Sequence, residues 1–245
     1  MLDIHSHILF GIDDGAKSLN DSIELIKQAQ TEGVTKIIAT PHKDPKYQPS
    51  KETILSKVKE LNNKIKELNL NIKVLPGQEV RLYQNLIDDL LSNQLMTLNN
   101  ENKYILIEFP STHVPQYSSQ ILYELQLKGI RPIIVHPERN DDIIKNPKIL
   151  EDFVKNGALA QITAGSIIGK FGRKSKKTSH LLLKHNLISF IASDAHNLKT
   201  RTFNLKHAKS KLYKKFGKDF TEELFNNASL ILTNDYIHCD YDSLK

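Results

Sequence analysis

Short apolar runs that end in a histidine or a carboxylate recur along this 245-residue chain. They are Leu2-Asp-Ile-His5-Ser-His7, Lys36-Ile-Ile-Ala-Thr-Pro-His42, Ile72-Lys-Val-Leu-Pro-Gly-Gln-Glu79, Tyr104-Ile-Leu-Ile-Glu108, Ile133-Ile-Val-His136 and Ile188-Ser-Phe-Ile-Ala-Ser-Asp194-Ala-His196. Parallel strands covered on both faces read as short continuous apolar runs. In (β/α) barrels, ligand-binding and catalytic groups stand at the C-terminal ends of those strands. A single His-x-His pair would say little. Imidazoles and carboxylates at the same end of several strands describe a polynuclear metal site.

Helix-like segments alternate with these runs, which implies parallel βα units. Ser18, with Asp21 three residues on, caps a helix that Gly33 ends; Ile23, Leu25, Ile26 and Ala29 form its apolar side. A second helix starts near Ser50 and carries Ile54, Leu55, Val58, Leu61, Ile65 and Leu68 at helical spacing. A short helical stretch is expected around Gln84–Ser92. Pro115 opens a helix that Gly129 closes, and Pro147 starts another that Asn156-Gly157 terminates. A basic helix then runs to about His185. Helices near Asn204–Phe216 and Asp219–Asn226 precede a tail, from about Asp235, that reads as loose. The result is roughly seven βα units in one domain over residues 1–245, with no repeat and no linker.

Composition narrows the function. Hydrophobic residues make up 39% of the chain, enough for a sizeable core, and no apolar stretch approaches a membrane span of ~18 residues. The N-terminus lacks a basic region followed by an apolar one, so a cytoplasmic location is expected. Cys239 is the single cysteine. It allows no disulfide within the chain, no thiolate zinc site and no Cys-x5-Arg phosphate loop, so any metal must be held by nitrogen and oxygen. A formal charge of +6 and a pI of about 9.1 admit nucleic acid, an anionic membrane or a phosphorylated substrate. Most of the excess lies in Lys-rich helical segments, Lys51–Lys66 and Lys206–Lys218. The run from Lys170 to Lys177 is denser and could dock an acidic partner. Base-stacking aromatics do not accompany these runs and Trp is absent, which argues against nucleic acid.

Singly, each polar group at a strand end has an ordinary explanation. His-x-His on a regular strand points its side chains to opposite faces, although at a strand end both rings can reach one ion. Glu108 would be expensive to bury without a cation. Mixed imidazole and carboxylate donors suit Mn²⁺, Fe²⁺ or Zn²⁺ better than Ca²⁺.

Together these residues resemble the PHP (polymerase and histidinol phosphatase) family through Asp3-Ile-His5-Ser-His7, Thr40-Pro-His42, Gly77-Gln-Glu79, Glu108, Val135-His136-Pro137 and Ser193-Asp194-Ala-His196. Gly11-Ile-Asp-Asp14-Gly15, Pro76-Gly-Gln-Glu79-Val-Arg81 and His136-Pro-Glu-Arg139 are similar to the capsule-locus, manganese-dependent protein-tyrosine phosphatases of Gram-positive bacteria, the CpsB/CapC type. The resemblance covers nearly the whole chain. It implies a distorted (β/α)7 barrel, of α/β class, with three divalent metals, manganese foremost and iron or zinc as alternatives. One metal would take His5, His7, Glu79 and Asp194. A second would share Glu79 and add Glu108 and His136. A third would take Asp14, His42 and His196; the choice of Asp14 over Asp13 rests on the resemblance alone.

Clustered divalent metals can bind a phosphoryl oxygen and lower the pKa of a bridging water. A tyrosinate, whose phenol has an ordinary pKa of ~10, leaves far more readily than an alkoxide. Arg139 and Arg201 follow the ligands His136 and His196 closely in sequence and are the candidate catalytic and phosphate-binding groups. Arg81 is a further candidate, and Tyr83, Phe109 and His113 are candidates for lining the substrate pocket. The leading expectation is a metal-dependent phosphotyrosine-protein phosphatase. Its partner would be an autophosphorylating bacterial tyrosine kinase that controls capsule synthesis, with neither nucleic acid nor membrane insertion involved. A histidinol-phosphatase-type phosphomonoesterase, an exonuclease-like phosphodiesterase and a noncatalytic metal-binding scaffold stay open.

Overall fold

The computed structural model describes residues 1–244 and contains nine strands: β1 Leu2–Ser6, β2 Lys36–Ala39, β3 His42–Lys43, β4 Lys73–Pro76, β5 Glu79–Arg81, β6 Tyr104–Glu108, β7 Arg131–Val135, β8 Leu159–Thr163 and β9 Phe190–Ala192. All pairings are parallel. The nine strands make seven staves. Ala39 lies opposite Pro76, and His42 opposite Glu79, so the register offset is the same before and after the break. β2 and β3 are therefore one interrupted stave, and β4 and β5 another. The interruptions fall at Pro41 and at Pro76-Gly77; proline lacks the N–H that a ladder needs. The order runs β1, β2, β4 in one sheet and β3, β5, β6, β7, β8, β9 in the other, and a bridge between Ser6 and Ala195 joins the last stave to the first. This is the distorted (β/α)7 barrel expected from the sequence, and the two broken staves are its distortion.

Alternation along the strands divides the core. Ile4, Ile38, Leu106, Ile133, Val135 and Leu159 share one buried cluster, the barrel interior. Ile37, Ile105, Ile107, Ile134 and Ala160 pack with the surrounding helices in the other. Those helices are α1 Leu19–Thr31, α2 Lys51–Glu67, α3 Leu86–Leu91, α4 Ser118–Leu127, α5 Asp141–Lys145, α6 Lys148–Lys155, α7 Ala164–Ile168, α8 Gly172–Lys184, α9 Leu205–Phe216 and α10 Lys218–Thr233. The Ser18 hydroxyl accepts from the Asp21 N–H while the Asp21 carboxylate accepts from the Ser18 N–H, a reciprocal cap of the kind worth ~1 kcal/mol. By contrast, α8 starts with no side-chain cap and no acidic residue in its first turn.

Two expectations need correction at the C-terminus. The last helix does not stop near Asn226; it continues to Thr233 because Ala228 and Ile231 are buried in the interior cluster. Nor is the segment after it loose. Over its described residues, 235–244, it forms no helix or strand, but Ile237 is buried in the same cluster, the Tyr104 hydroxyl donates to the Asp235 carbonyl (2.5 Å), and Arg131 donates to the Ile237 carbonyl. α10 and this segment cover the end of the barrel where β1, β6 and β7 begin, which would otherwise expose Leu2 and the base of Tyr104 to water. The short α7, directly after β8, was not anticipated from the sequence.

Candidate metal centre

Parity explains most of the site. Glu79 sits opposite Leu106 in register, so it faces the interior, as do His42 opposite it and Glu108 two residues beyond Leu106. Asp194 follows the interior pair Phe190 and Ala192 at the same parity. The others depend on irregular backbone. β1 shifts register between Asp3 and Ser6, and this break lets His5 and His7 both reach the centre. His136 (φ 39°) and Asp194 (φ 52°) adopt the left-handed conformation, uncommon for residues with a side chain and concentrated at functional sites. Gly15 permits a close approach: a Cβ there would lie 2.0 Å from the His7 carbonyl oxygen.

The donor atoms converge. His5 Nε2 lies 3.3 Å from His7 Nε2, 3.4 Å from Glu79 Oε1 and 3.6 Å from Asp194 Oδ1. His7 Nε2 lies 3.2 Å from Glu79 Oε2 and 3.5 Å from Asp194 Oδ1. Asp14 Oδ1 is 3.4 Å from the Nε2 atoms of both His42 and His196. His136 Nε2 is 2.8 Å from Glu79 Oε1 and 3.8 Å from Glu108 Oε1. The resulting groups overlap: His7, Asp14, His42 and His196; His5, Glu79 and His136; His5, His7 and Asp194; His42, Glu79 and Glu108. His42 thus stands with Glu79 and Glu108 as well as with Asp14 and His196.

These separations suit a cation better than a hydrogen bond. Most exceed the 2.7–3.2 Å range of a good N–H···O bond. Ligands about 2.0–2.2 Å from one tetrahedral ion stand roughly 3.3–3.6 Å apart, the spacing seen here. Glu79 Oε2, Asp194 Oδ1, His196 Nε2 and His42 Nδ1 are buried with no hydrogen-bond partner among the described residues; His42 Nδ1 and Glu79 Oε2 approach to 2.9 Å without hydrogen-bond geometry. Buried polar atoms left unpaired are costly, and here they aim at a common centre. The residues present fit a divalent-metal cluster.

Hydrogen bonds behind the ligands fix three imidazole tautomers, and sequence reasoning missed the parts that Asp13 and Gln161 play in them. His7 Nδ1 is 2.8 Å from the Asp13 carboxylate, His5 Nδ1 is 2.8 Å from Gln161 Oε1, and His196 Nδ1 is 3.0 Å from the Asp194 carbonyl. Each Nδ1–H donates outward, which leaves the Nε2 lone pair facing the centre. Asp13 is buried and also accepts from the Gly15 and His42 N–H groups, whereas Asp14 is 42% exposed at the mouth. The two adjacent carboxylates therefore differ in task. The signal for Gln161 was a polar residue inside the apolar run Ala158–Thr163.

Electrostatics divide the imidazoles: against burial, Asp13 raises the His7 pKa to about 9 and Glu79 with Asp14 raises His42 to about 11, carboxylate contacts for which a bound cation would compete. Burial, then the Arg139 charge, pulls the His136 pKa down to about 3; burial and His7 pull His196 down to about 4. Both are therefore neutral, the form that binds metal. Burial opposes ionisation of Asp194, but Arg139 and Arg201 hold its carboxyl well below the usual range. Glu108 is pushed up to about 7 by burial and by the charge of Glu79, against the pull of Arg81.

A cavity of about 430 Å³ opens over the cluster, lined among others by Asp14, His42, Tyr47, Arg81, Phe109 and Arg201. Arg139 also lines it. Arg81 Nε donates to Glu108 Oε2 at 2.7 Å. Phe109 is 4% exposed and packs on Phe153, 5.6 Å between ring centroids, while still bordering the cavity. Tyr83 lies elsewhere, in a neighbouring depression, its hydroxyl on Asp89. His113 is exposed beside Thr112 and is not among the lining residues. Tyr47, not singled out from the sequence, stands at the mouth, stacked 6.2 Å from His42 and held by an Asp44 turn.

A ring of imidazoles and carboxylates at the C-terminal mouth of a seven-stave parallel barrel defines a metal-centre barrel. The chain belongs to the family described as capsular polysaccharide synthesis, CpsB/CapC, which matches residues 1–233. It is 46% identical over 238 residues to the tyrosine-protein phosphatase YwqE of Bacillus subtilis (strain 168), covering 97% of this chain and 93% of that one. It is 31% identical over 244 residues to the tyrosine-protein phosphatase CpsB of Streptococcus agalactiae serotype III (strain NEM316), covering 97% of this chain and all of the relative. Among solved structures, one from a study of YwqE from Bacillus subtilis and CpsB from Streptococcus pneumoniae, described as unique metal-dependent tyrosine phosphatases, superposes with a TM-score of 0.97 at 44% identity over 100% of both chains. A phosphotriesterase homology protein from Escherichia coli shares the fold at a TM-score of 0.59 and 13% identity, covering 93% of this chain and 97% of that one.

Proposed function

We propose that this chain is a metal-dependent protein-tyrosine phosphatase that acts on an autophosphorylating tyrosine kinase of capsule synthesis in the bacterial cytoplasm. Its ligands are His5, His7, Asp14, His42, Glu79, Glu108, His136, Asp194 and His196, holding three divalent ions, with manganese the leading choice. The observation that carries this reading is the set of partnerless buried donors spaced for cations beneath a cavity that Arg139 and Arg201 line.

When bound, such metals lower the pKa of water and neutralise charge on the phosphoryl oxygens. The protein supplies the rest. Asp13 and Gln161 fix the His7 and His5 tautomers. Arg201 donates one N–H to Asp194 and Arg139 forms an ion pair with the same carboxylate, and guanidinium has five N–H donors, so both retain donors for the equatorial phosphoryl oxygens. Tyr47, Phe109 and Pro137 border the space in which the phenyl ring of phosphotyrosine would lie. The only thiol is unsuited to nucleophilic attack: Cys239 lies in the C-terminal segment, its Sγ near the Asn186 carbonyl, and burial pushes its pKa up. No helix among the described residues is long and apolar enough to cross a membrane.

The test is turnover, with added Mn²⁺, of a phosphotyrosine peptide, histidinol phosphate and single-stranded DNA, repeated after chelation. The expected result is metal-dependent hydrolysis of the peptide well above the other two. Preference for histidinol phosphate would replace this reading with the small-molecule one.

A further inference from the structure

The densest basic run in the chain begins at the rim of the cavity. Phe171 lies under the Arg139 guanidinium, 4.9 Å from ring centroid to Cζ, and Lys170 Nζ lies 3.4 Å from Thr202 Oγ1, one residue past Arg201. Lys170, Arg173, Lys174, Lys176 and Lys177 are all exposed. Arg173, Lys174 and Lys177 share one face of α8, Lys177 lying four and three residues beyond the other two, while Lys170 stands in the turn just before the helix. The opposite face, with Ser175, Thr178, Ser179, Leu182 and Leu183, is buried. Lys176 stands apart, its side chain against Gly169.

These cations have no internal counter-charge. No acidic residue occurs between Asp152 and Asp194 in the sequence, and none of the five cations forms an ion pair among the described residues; elsewhere Lys27, Lys57, Lys64 and Lys209 are each paired. The arrangement also runs against local helix preference, which favours acidic groups where α8 begins. A solvated face would be expected to mix charges, as α2 does with Lys57–Glu60 and Lys64–Glu67. Nucleic acid fits poorly, because the single aromatic in the strip, Phe171, is already covered by Arg139.

We propose that the Lys170–Lys177 face docks an acidic segment flanking the phosphotyrosine of the substrate protein. The proposal rests on the tyrosine-phosphatase reading above and adds a substrate class to it: phosphotyrosines embedded among Asp and Glu. Arg173 to Lys177 spans about 6 Å of helix, with Lys170 on the cavity side of it. An extended peptide advances about 3.3 Å per residue, so roughly two of its residues overlie the helical part of the strip once the phosphotyrosine occupies the cavity.

The experiment compares kcat/KM for two phosphotyrosine peptides, one with Asp/Glu flanks and one with Ser/Asn flanks, alongside a small aryl phosphate. The proteins are the Mn²⁺-loaded wild type, the triple variant Arg173→Glu/Lys174→Glu/Lys177→Glu and its milder Gln counterpart. Wild type is expected to favour the acidic peptide by roughly tenfold, through KM, with the preference fading at about 0.5 M salt. Both variants should lose the preference while hydrolysing the aryl phosphate at the wild-type rate. Equal kcat/KM for the two peptides, or a preference that survives in the Glu variant, overturns the docking surface and leaves the phosphatase reading standing. No turnover of any of the three substrates overturns both. Single-stranded DNA that inhibits acidic-peptide turnover at a lower concentration than the unphosphorylated acidic peptide does would reassign the face to nucleic acid.

Discussion

Arg139 and Arg201 meet on a single atom: Nη1 of one and Nη2 of the other lie 2.8 and 2.7 Å from Oδ2 of Asp194. Its second oxygen, Oδ1, faces His5 and His7 with no hydrogen-bond partner. One carboxylate thus divides its oxygens between two guanidinium groups and the metal centre. The arginines chosen from the sequence for phosphate binding are also the groups that keep this buried carboxylate ionised.

Arg139→Ala or Arg201→Ala should lower aryl-phosphate turnover by roughly a hundredfold, the scale for removing one preorganised donor. Metal content should be kept in each single variant, because the remaining arginine still holds Asp194, and should fall in the double variant. Metal analysis beside steady-state kinetics decides this. Metal loss in either single variant would make the arginines supports of Asp194 and remove them from phosphate binding.

Gln161→Leu should weaken metal binding by about 10–100-fold, the usual effect of removing the acceptor behind a ligating histidine, and lower stability by about 1–3 kcal/mol. The Gln161 Nε2 atom has no partner of its own, so the stability cost comes from the buried His5 Nδ1–H, which loses its acceptor. Chelator competition and a denaturation curve, run together, test the two halves of the claim.

Gly15→Ala should destabilise the protein by about 1–3 kcal/mol, the usual cost of overpacking, because its Cβ would overlap the His7 backbone. The displaced His7 should also bind metal less tightly. An unchanged urea midpoint would mean that the loop carrying Asp13 and Asp14 moves freely.

Ile237→Ala should cost about 2–4 kcal/mol, like other large-to-small core changes, with turnover by the folded fraction intact. A loose tail would give no change in the denaturation midpoint, so this variant separates a packed C-terminal segment from a pendant one.

Chelation should abolish phosphatase activity and Mn²⁺ should restore it. Cys239→Ser should match wild type in the same assay, since the thiol sits in the C-terminal segment, away from the cavity. A large loss of activity in that variant would point to a different nucleophile.

Much of this was legible in the chain itself. Apolar runs ending in His42, Glu79, Glu108 and Asp194 implied strands with polar ends, because a strand covered on both faces has few other places for a carboxylate. Six such runs, together with Ala158–Thr163, account for the seven staves, and Ser18 with Asp21 marked the first helix start. Contacts across the barrel were not legible. Gln161 behind His5 is 156 residues away in sequence, and Asp13 and Asp14 are adjacent residues with opposite exposure. Tyr83 sits close to Glu79 in sequence yet in a different depression, while Tyr47 reaches the mouth through a turn set by Asp44. Periodicity tells which face a residue takes only while the backbone stays regular. The register break in β1 and the left-handed His136 and Asp194 re-aim their side chains. Local sequence determined which residues could bind metal and on which elements they stand; closure of the barrel decided which of them meet and what holds each in place.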